Sequence, residues 1–385
     1  MEPLPRRSEK IFGCGGQIRV EVEDFEVEEV PLYLPSGTGE HLYLWLEKRD
    51  TSASMLRRLI ASSLGISPRD IGMAGMKDRR AVTRQWISVP RVAAARVEQI
   101  DGPRVRVIDA KYHQNKLRTG HLRGNRFRIV VRGTVAEAVQ RAQNKLTLLA
   151  ELGMPNFYGP QRMGRGGSTL ATGWALSQGV KRKARVELPD GSIHQVNLRD
   201  RHLTRLAASA LQSELFNRVV AARLKRGDIN RVLPGDLCRR RATGGTFVTD
   251  DVAREQERID AGELVLTGPM WGPKMPRPKD DVAELELHEL TELGLTDEAF
   301  GRIGHLAAGA RRSMLVWPSD VSVSALSDTE QSAITVCFSL PSGSFASVLI
   351  HELVGPLDEQ DTPFIAEPTV ATGTHLGLAG DTPCA

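Results

Sequence analysis

Residues 16–34 read GQIRVEVEDFEVEEVPLYL, and through this stretch apolar and charged residues alternate with a period of two. A strand sends successive side chains to opposite faces, so the pattern describes half-buried antiparallel strand and not helix. The same rhythm returns over residues 41–47, where Leu42, Leu44 and Leu46 share a face. Between the two, Pro35, Ser36, Gly37 and Gly39 supply turn chemistry. Adjacent half-buried strands need a layer to cover their apolar face. Met55, Leu56, Leu59, Ile60 and Leu64 follow at helical spacing, with Gly65 placed to cap the helix at its C-terminus. Farther along, a loop is expected over residues 72–80, strands over 85–89 and 126–131, and a helix over 136–152 that includes Leu146, Leu149 and Leu152. This order predicts an α+β fold, a mixed sheet with helices packed on it.

Beyond residue 170 the pattern turns helical. An amphipathic helix is expected over 205–224, a second with charged faces over 250–261, a Pro/Lys-rich connector (GPKMPRPKD) over 272–280, an acidic helix over 282–306 and a basic helix end over 311–316. Strand alternation resumes only at 334–338. The expected organisation is therefore one α+β domain in two parts, 1–170 and 311–360, interrupted at 171–310 by a largely helical α+β insertion. Residues 361–385, acidic and poor in aromatics, are expected to be a disordered tail.

With 41% apolar and 25% charged residues among 385, the composition is that of a soluble globular protein. No window approaches the roughly 18 uninterrupted apolar residues a spanning helix needs, and no apolar segment follows the charged start MEPLPRRSEK, so a cytoplasmic protein with no membrane role is expected. Cys14, Cys238, Cys337 and Cys384 form no CxxC pair, which argues against a zinc knuckle or a disulfide framework. The net charge is +4, but residues 355–385 hold five acids and no Lys or Arg, so residues 1–354 carry +9. Nine Lys/Arg between Arg104 and Arg132 face one acid, Asp109. A stretch of that kind suits a polyanion, because each neutralised phosphate releases condensed counterions; its bland alternative is a solvated basic loop and strand.

The chemistry concentrates in residues 75–85, GMKDRRAVTRQ, where Asp78 lies among Lys77, Arg79 and Arg80. Neighbouring cations favour a carboxylate's charged form. A lone KDR triplet would be an ordinary surface ion pair, but here the full string reads GxKDxxAxTxQ. In that form it resembles the TruD family of tRNA pseudouridine synthases. Similar stretches follow in the family's order: EDFEVEE at 23–29 with Arg19 upstream, KLRTGHLRGNRF at 116–127, PNFYGPQRMG at 155–164, Ser213 shortly before LFN at 215–217, and LPSGSFAS at 340–347.

The resemblance implies a pseudouridine-synthase-like sheet of mixed and antiparallel strands in the catalytic domain. It also implies tRNA as partner, uridine 13 as target, Asp78 as catalytic carboxylate, a monomer, and no cofactor or metal. Carried over residue by residue, the substrate-binding set is Arg19, Phe25, Lys77, Arg79, Asn156, Tyr158 and Phe345. Two departures stand out. Phe157-Tyr158 replaces the family's frequent Tyr-Phe, and His351 stands where an Arg is usual.

The residue types fit the same chemistry. An enzyme acting on a base in folded RNA extracts it from the stack, holds its ring between aromatic or apolar groups and reads its edge by hydrogen bonds. Phe25, Tyr158 and Phe345 are isolated aromatics that could stack or could be core, and Asn156 offers a donor and an acceptor or serves as a turn residue. Gly159, Gly164, Gly166 and Gly167 lack the spacing of a nucleotide-cofactor loop. A non-catalytic tRNA-binding protein would share the basic body but has no need of a carboxylate inside it. A metalloprotease reading of His351-Glu352 fails, since Gly355 occupies the second ligand's position.

Overall fold

The computed structural model describes residues 3–100, 102–199, 201–326 and 332–355. The expected tail at 361–385, with Cys384, lies outside them. Strands β1 (Gln17–Ile18), β2 (Phe25–Pro31) and β3 (His41–Arg49) lead into helix α1 (Ala53–Leu64). Ser52 Oγ accepts the Met55 amide hydrogen at 3.2 Å to start α1, and Gly65, at φ 60°, ends it in the left-handed conformation that a glycine takes without strain. Strands β4 (Gly72–Met73) and β5 (Val82–Pro90), a run of 3-10 turns over Arg91–Ile100, and strands β6 (Val105–His113) and β7 (Leu122–Arg132) follow. Helix α2 (Ala138–Leu152) and β8 (Met154–Pro155) close this first part.

Next come α3 (Ser168–Ser177), the hairpin β9 (Ala184–Glu187) and β10 (Ile193–Val196), and the long helix α4 (Arg201–Arg226). Then follow β11 (Leu237–Arg240), β12 (Thr246–Val248), α5 (Val252–Asp260), β13 (Leu264–Met270), α6 (Asp280–Glu292), α7 (Asp297–Arg302) and β14 (Ala310–Ser313). The chain returns through β15 (Leu315–Val316), β16 (Ser319–Ala325), β17 (Ala333–Pro341) and α8 (Ala346–Val354).

The main sheet runs β16-β17-β7-β2-β5-β3-β6, with β1 beside β7 and β4 beside β5. Every pairing in it is antiparallel except that of β2 with β5, which makes it mixed as expected. Three sequence readings change. Residues 311–316, expected to end a helix, are strand, because β13 and β8 offer partners at Thr267↔Ser313 and Leu315↔Pro155. The expected helix over 282–306 is broken into α6 and α7 at Gly294 (φ 64°), and Thr296 caps the second piece. Strand β6 was hidden inside the basic stretch.

The alternation first read at 16–34 sorts the sheet into two faces. Glu26 and Glu28 of β2 point to the solvated face and pair across strands with Arg128 at 3.0 Å and Arg126 at 2.9 Å, while Arg84 reaches Glu47 at 2.9 Å. Arg132 grips Asp24 through several hydrogen bonds of 2.7–2.9 Å. Three arginines of the basic stretch therefore belong to the sheet's own ion pairs, and the expectation that they serve a polyanion is revised.

The other face carries two separate cores. Leu42, Leu44, Leu46 and Ile87 pack with Leu56, Ile60 and Leu64 of α1 at the β3 end. At the β7–β17 end, Phe127, Ile129, Val336 and Phe338 join Leu146 and Leu149 of α2 and Leu349 of α8, and this core continues through Leu211, Leu215 and Phe216 of α4 to Phe300. Buried Lys48, Thr83, Gln85 and Glu29 lie on the sheet between the two. They form a buried polar band between the two apolar cores.

His351 and Glu352 fasten the start of the chain. Glu352 accepts from the Arg7 and Ser8 amides at 2.8 and 3.0 Å and from Ser8 Oγ at 2.6 Å, and His351 Nε2 lies 2.9 Å from the Leu4 carbonyl oxygen. Burial pushes the thiols of Cys14 and Cys238 up to about 11, so both stay protonated and unreactive at neutral pH. No helix among the described residues is long and apolar enough to cross a membrane.

Candidate active site

Asp78 sits on the loop joining β4 to β5, at the edge of the polar band. The loop is held from below. Lys48, fully buried on β3, donates to the Asp78 carbonyl oxygen at 2.6 Å and to that of Thr51 at 2.8 Å. Desolvation pulls the Lys48 ammonium down to about 8, against the opposing pull of the nearby Asp78 charge.

With its backbone anchored, Asp78 turns its carboxylate outward, 38% exposed. Arg19 Nη2 donates to Asp78 Oδ2 at 2.6 Å, and Oδ1 accepts no hydrogen bond from a described residue. Arg19 itself is held tightly. Its backbone adopts φ 62°, uncommon for a residue with a side chain, and its guanidinium lies 4.1 Å over the Phe25 ring. Phe25 is 1% exposed and meets Phe127 edge-on at 6.2 Å. Expected to stack on a base, it instead forms the seat on which Arg19 is aimed.

Lys77 points the other way, into the band. It pairs with buried Glu29 at 2.9 Å and donates to Asn125 Oδ1 at 2.7 Å. Burial raises the Glu29 carboxyl and Lys77 pulls it back. Beside them, Thr83 Oγ1 and both amide atoms of Gln85 are buried with no partner among the described residues, a rare condition in a folded interior. Arg79 swings to the rim, 71% exposed, against Asp50 at 3.3 Å.

The remaining expected residues gather elsewhere, around Arg312. Its guanidinium lies 4.2 Å over the Tyr158 ring and donates to the carbonyl oxygens of Asn156 at 3.0 Å and Gly343 at 2.8 Å. Asn156 Oδ1 takes a further bond from Arg312 at 2.6 Å while its Nδ2 donates to Ser313 O at 3.0 Å. Both ends of the amide expected to read a base edge are thus engaged within the protein. Tyr158 packs against Phe345 with ring centres 5.4 Å apart, and Asn217 clamps its backbone at 2.8 and 2.9 Å, fixing this aromatic shelf to α4. No hydrogen bond or ring contact joins the shelf to the Asp78 group among the described residues.

Sequence reading did not single out Lys48, Glu29, Gln85 or Asn125. A signal existed for Lys48: the Leu42, Leu44, Leu46 alternation, extended by two, places it on the buried face. Gln85 and Asn125 lay inside the quoted motifs without a role.

A carboxylate with one oxygen steered by a seated guanidinium, beside a buried polar band, can act as a nucleophile or as a base toward a carbon acid. The sequence profile described as "tRNA pseudouridine synthase D (TruD)" matches residues 8–188 and 187–353. Over 359 residues the chain is 40% identical to the tRNA pseudouridine synthase D of Thermus thermophilus, covering 92% of each chain. Against that of Anaeromyxobacter dehalogenans it is 39% identical over 364 residues, 94% of this chain and all of the relative. The crystal structure of a Methanosarcina mazei protein assigned as a tRNA pseudouridine synthase D superposes with a TM-score of 0.72 at 24% identity, covering 93% of this chain and 97% of that one.

Proposed function

The chain belongs to the tRNA pseudouridine synthase D family, isomerases that convert uridine in tRNA to pseudouridine, and from that premise we propose that Asp78 is the catalytic carboxylate and uridine 13 of tRNA the target. The single observation that carries the assignment is the Arg19–Asp78 contact of 2.6 Å, which joins residues 59 positions apart and steers one oxygen of a carboxylate whose backbone is held by Lys48.

The reaction breaks the N1–C1′ bond, turns the uracil and joins C5 to C1′ with no net redox change. Asp78 serves either as nucleophile at the base or ribose, or as the base that removes the 2′ proton to give a glycal. Both routes require an oxygen that is free to react. Oδ1 meets that need while Oδ2 is held by Arg19, whose own orientation is fixed by the Phe25 ring. Fixed positive charge at this point opposes drift of the carboxylate and supports negative charge that develops as bonds exchange.

Lys77, hydrogen bonded to Asn125, brings a second cation and an amide to the same edge of the band. The Tyr158–Phe345 shelf, its tyrosine ring already covered by Arg312, borders the bound RNA away from Asp78, and residues 171–310 supply the second wall of the RNA cleft, with exposed Arg79 at its rim. The test is Asp78→Asn, nearly isosteric yet unable to attack carbon or accept a proton as a carboxylate does. Incubated with unmodified tRNA, the folded variant is expected to fall below about one hundredth of the wild-type rate, a loss of more than roughly 3 kcal/mol, while binding tRNA within a few fold. Turnover above that level removes Asp78 from the essential step. Mapping pseudouridine in the wild-type product to a position other than 13 would overturn the target assignment.

A further inference from the structure

Strands β11 and β12 form a hairpin in which the run Arg239-Arg240-Arg241 closes β11 and enters the turn. This turn faces the ends of β7 and β17 across a cavity of about 620 Å³, a size within the range of ligand sites. Arg123 lines it from β7, Arg239, Arg240 and Arg241 from the hairpin, and Arg312 from β14. None of these five has a carboxylate at ion-pair distance among the described residues, whereas Arg126, also at the wall, is already paired with Glu28. Asp320 is the one acid in the lining.

The guanidiniums are positioned by rings in place of acids. Arg240 lies 5.0 Å over Phe247, and Arg241 lies 4.0 Å over Trp317. Trp317 is fixed in turn by its Nε1 bond to Glu151 O at 3.3 Å and by Gly153, where any β-carbon would come within 3.0 Å of the ring. Stacking uses the flat face of a guanidinium and leaves edge N–H groups free to donate. One edge group of Arg241 goes to Gly262 O at 3.1 Å. Arg239 Nε is buried without a partner among the described residues. Arg312 already donates to Asn156 and Gly343, and Arg239 Nη2 donates to the Arg311 carbonyl oxygen, so Arg123, Arg240 and Arg241 offer most of the free donors. Gathering these cations in a concave wall is unfavourable in isolation, and an anion that accepts paired N–H donors relieves it.

We propose that this cavity is a phosphodiester-binding subsite that grips the tRNA backbone away from the nucleotide being isomerised. Strand β7 separates it from the Asp78 group: Gly124 and Arg126 line the cavity on one face, while Asn125 accepts from Lys77 on the other. Arginines from β7 and from the hairpin, more than a hundred positions later, close on the phosphate from two sides. The proposal rests on tRNA being the substrate and not on the role of Asp78.

The test is Arg240→Gln/Arg241→Gln with unmodified tRNA in filter binding between about 50 and 200 mM salt. Losing two phosphate contacts should raise Kd at least tenfold and lower the slope of log Kd against log salt by roughly 1 to 2. The loss should fall more on KM than on kcat, and Arg→Lys at both positions should recover part of the affinity. Arg123→Gln, on another element, should act in the same direction and guards against a misfolded hairpin. Unchanged Kd and slope in both variants would overturn the subsite. So would a wild-type melting temperature raised by inorganic pyrophosphate and lost in the double variant while tRNA affinity stays intact, which would mark a site for small anions only. Because the readout is binding, Asp78→Asn keeps the wild-type salt slope whether or not Asp78 performs the chemistry, so failure of one reading is distinguishable from failure of the other.

Discussion

Lys48 and Lys77 approach the same loop from opposite sides of the energy balance. Lys77 and Glu29 are a buried pair, and removing one member strands the other charge in the interior. Lys77→Met is expected to destabilise the protein by about 3 kcal/mol in urea unfolding, and Glu29→Gln in that background should return a large part of it. No recovery would mean that Lys77 acts through packing alone. For Lys48 the sign follows from its value of about 8 in the folded chain against 10.5 for an ordinary lysine. Between those pH values the unfolded chain holds the extra proton, so this group's contribution to stability increases with pH; below 8 its burial penalty is present in full. The stability difference between wild type and Lys48→Met should therefore shift in favour of wild type as pH rises from 8 toward 10.5. A difference independent of pH would show that burial does not lower the Lys48 ammonium.

Among the elements, the junction of β7 with β17 leaves little freedom. The strands pair from Arg132↔Ala333 to Gly124↔Pro341, and a β-carbon on Gly124 would lie 2.2 Å from the Leu340 carbonyl oxygen, which is backbone and cannot step aside. Gly124→Ala should cost about 2 kcal/mol through forced strand separation, measured as a lower denaturation midpoint at unchanged m-value. A neutral substitution would contradict the close approach. Strand pairing also explains the misread segment at 311–316. Arg311 and Arg312 show no periodicity of their own, and only β13 and β8, distant in sequence, make strand the better state.

For the whole molecule, one core runs unbroken from Phe127 and Phe338 of the main sheet through Phe216 of α4 to Phe300. Cutting residues 171–310 away would take Leu211, Leu215, Phe216 and Phe300 out of that core. Unfolding should then be cooperative across that boundary. Tryptophan fluorescence, which reports Trp45 and Trp86 at one end and Trp174 and Trp271 at the other, should coincide with far-UV circular dichroism in one transition. Two resolved transitions would show that residues 171–310 unfold on their own.

Local periodicity determined what the sequence by itself could determine. The alternation over 16–34 and at Leu42, Leu44 and Leu46 specified strands and their buried face, because a period of two has one structural meaning. Helix α1 and its glycine cap were legible for the same reason, and the string around Asp78 marked a loop with a carboxylate among cations. What those cations do was decided only in three dimensions. Arg19 reaches Asp78, Lys48 holds its backbone, Lys77 turns inward to Glu29, and Arg79 leaves for the rim. Asn156 is drawn to Arg312, and the arginine run at 239–241 meets Arg123 across the cavity. Each of these contacts depends on which strand lies beside which, and strand order is set by the burial of the whole apolar surface, a property that no short stretch of sequence encodes.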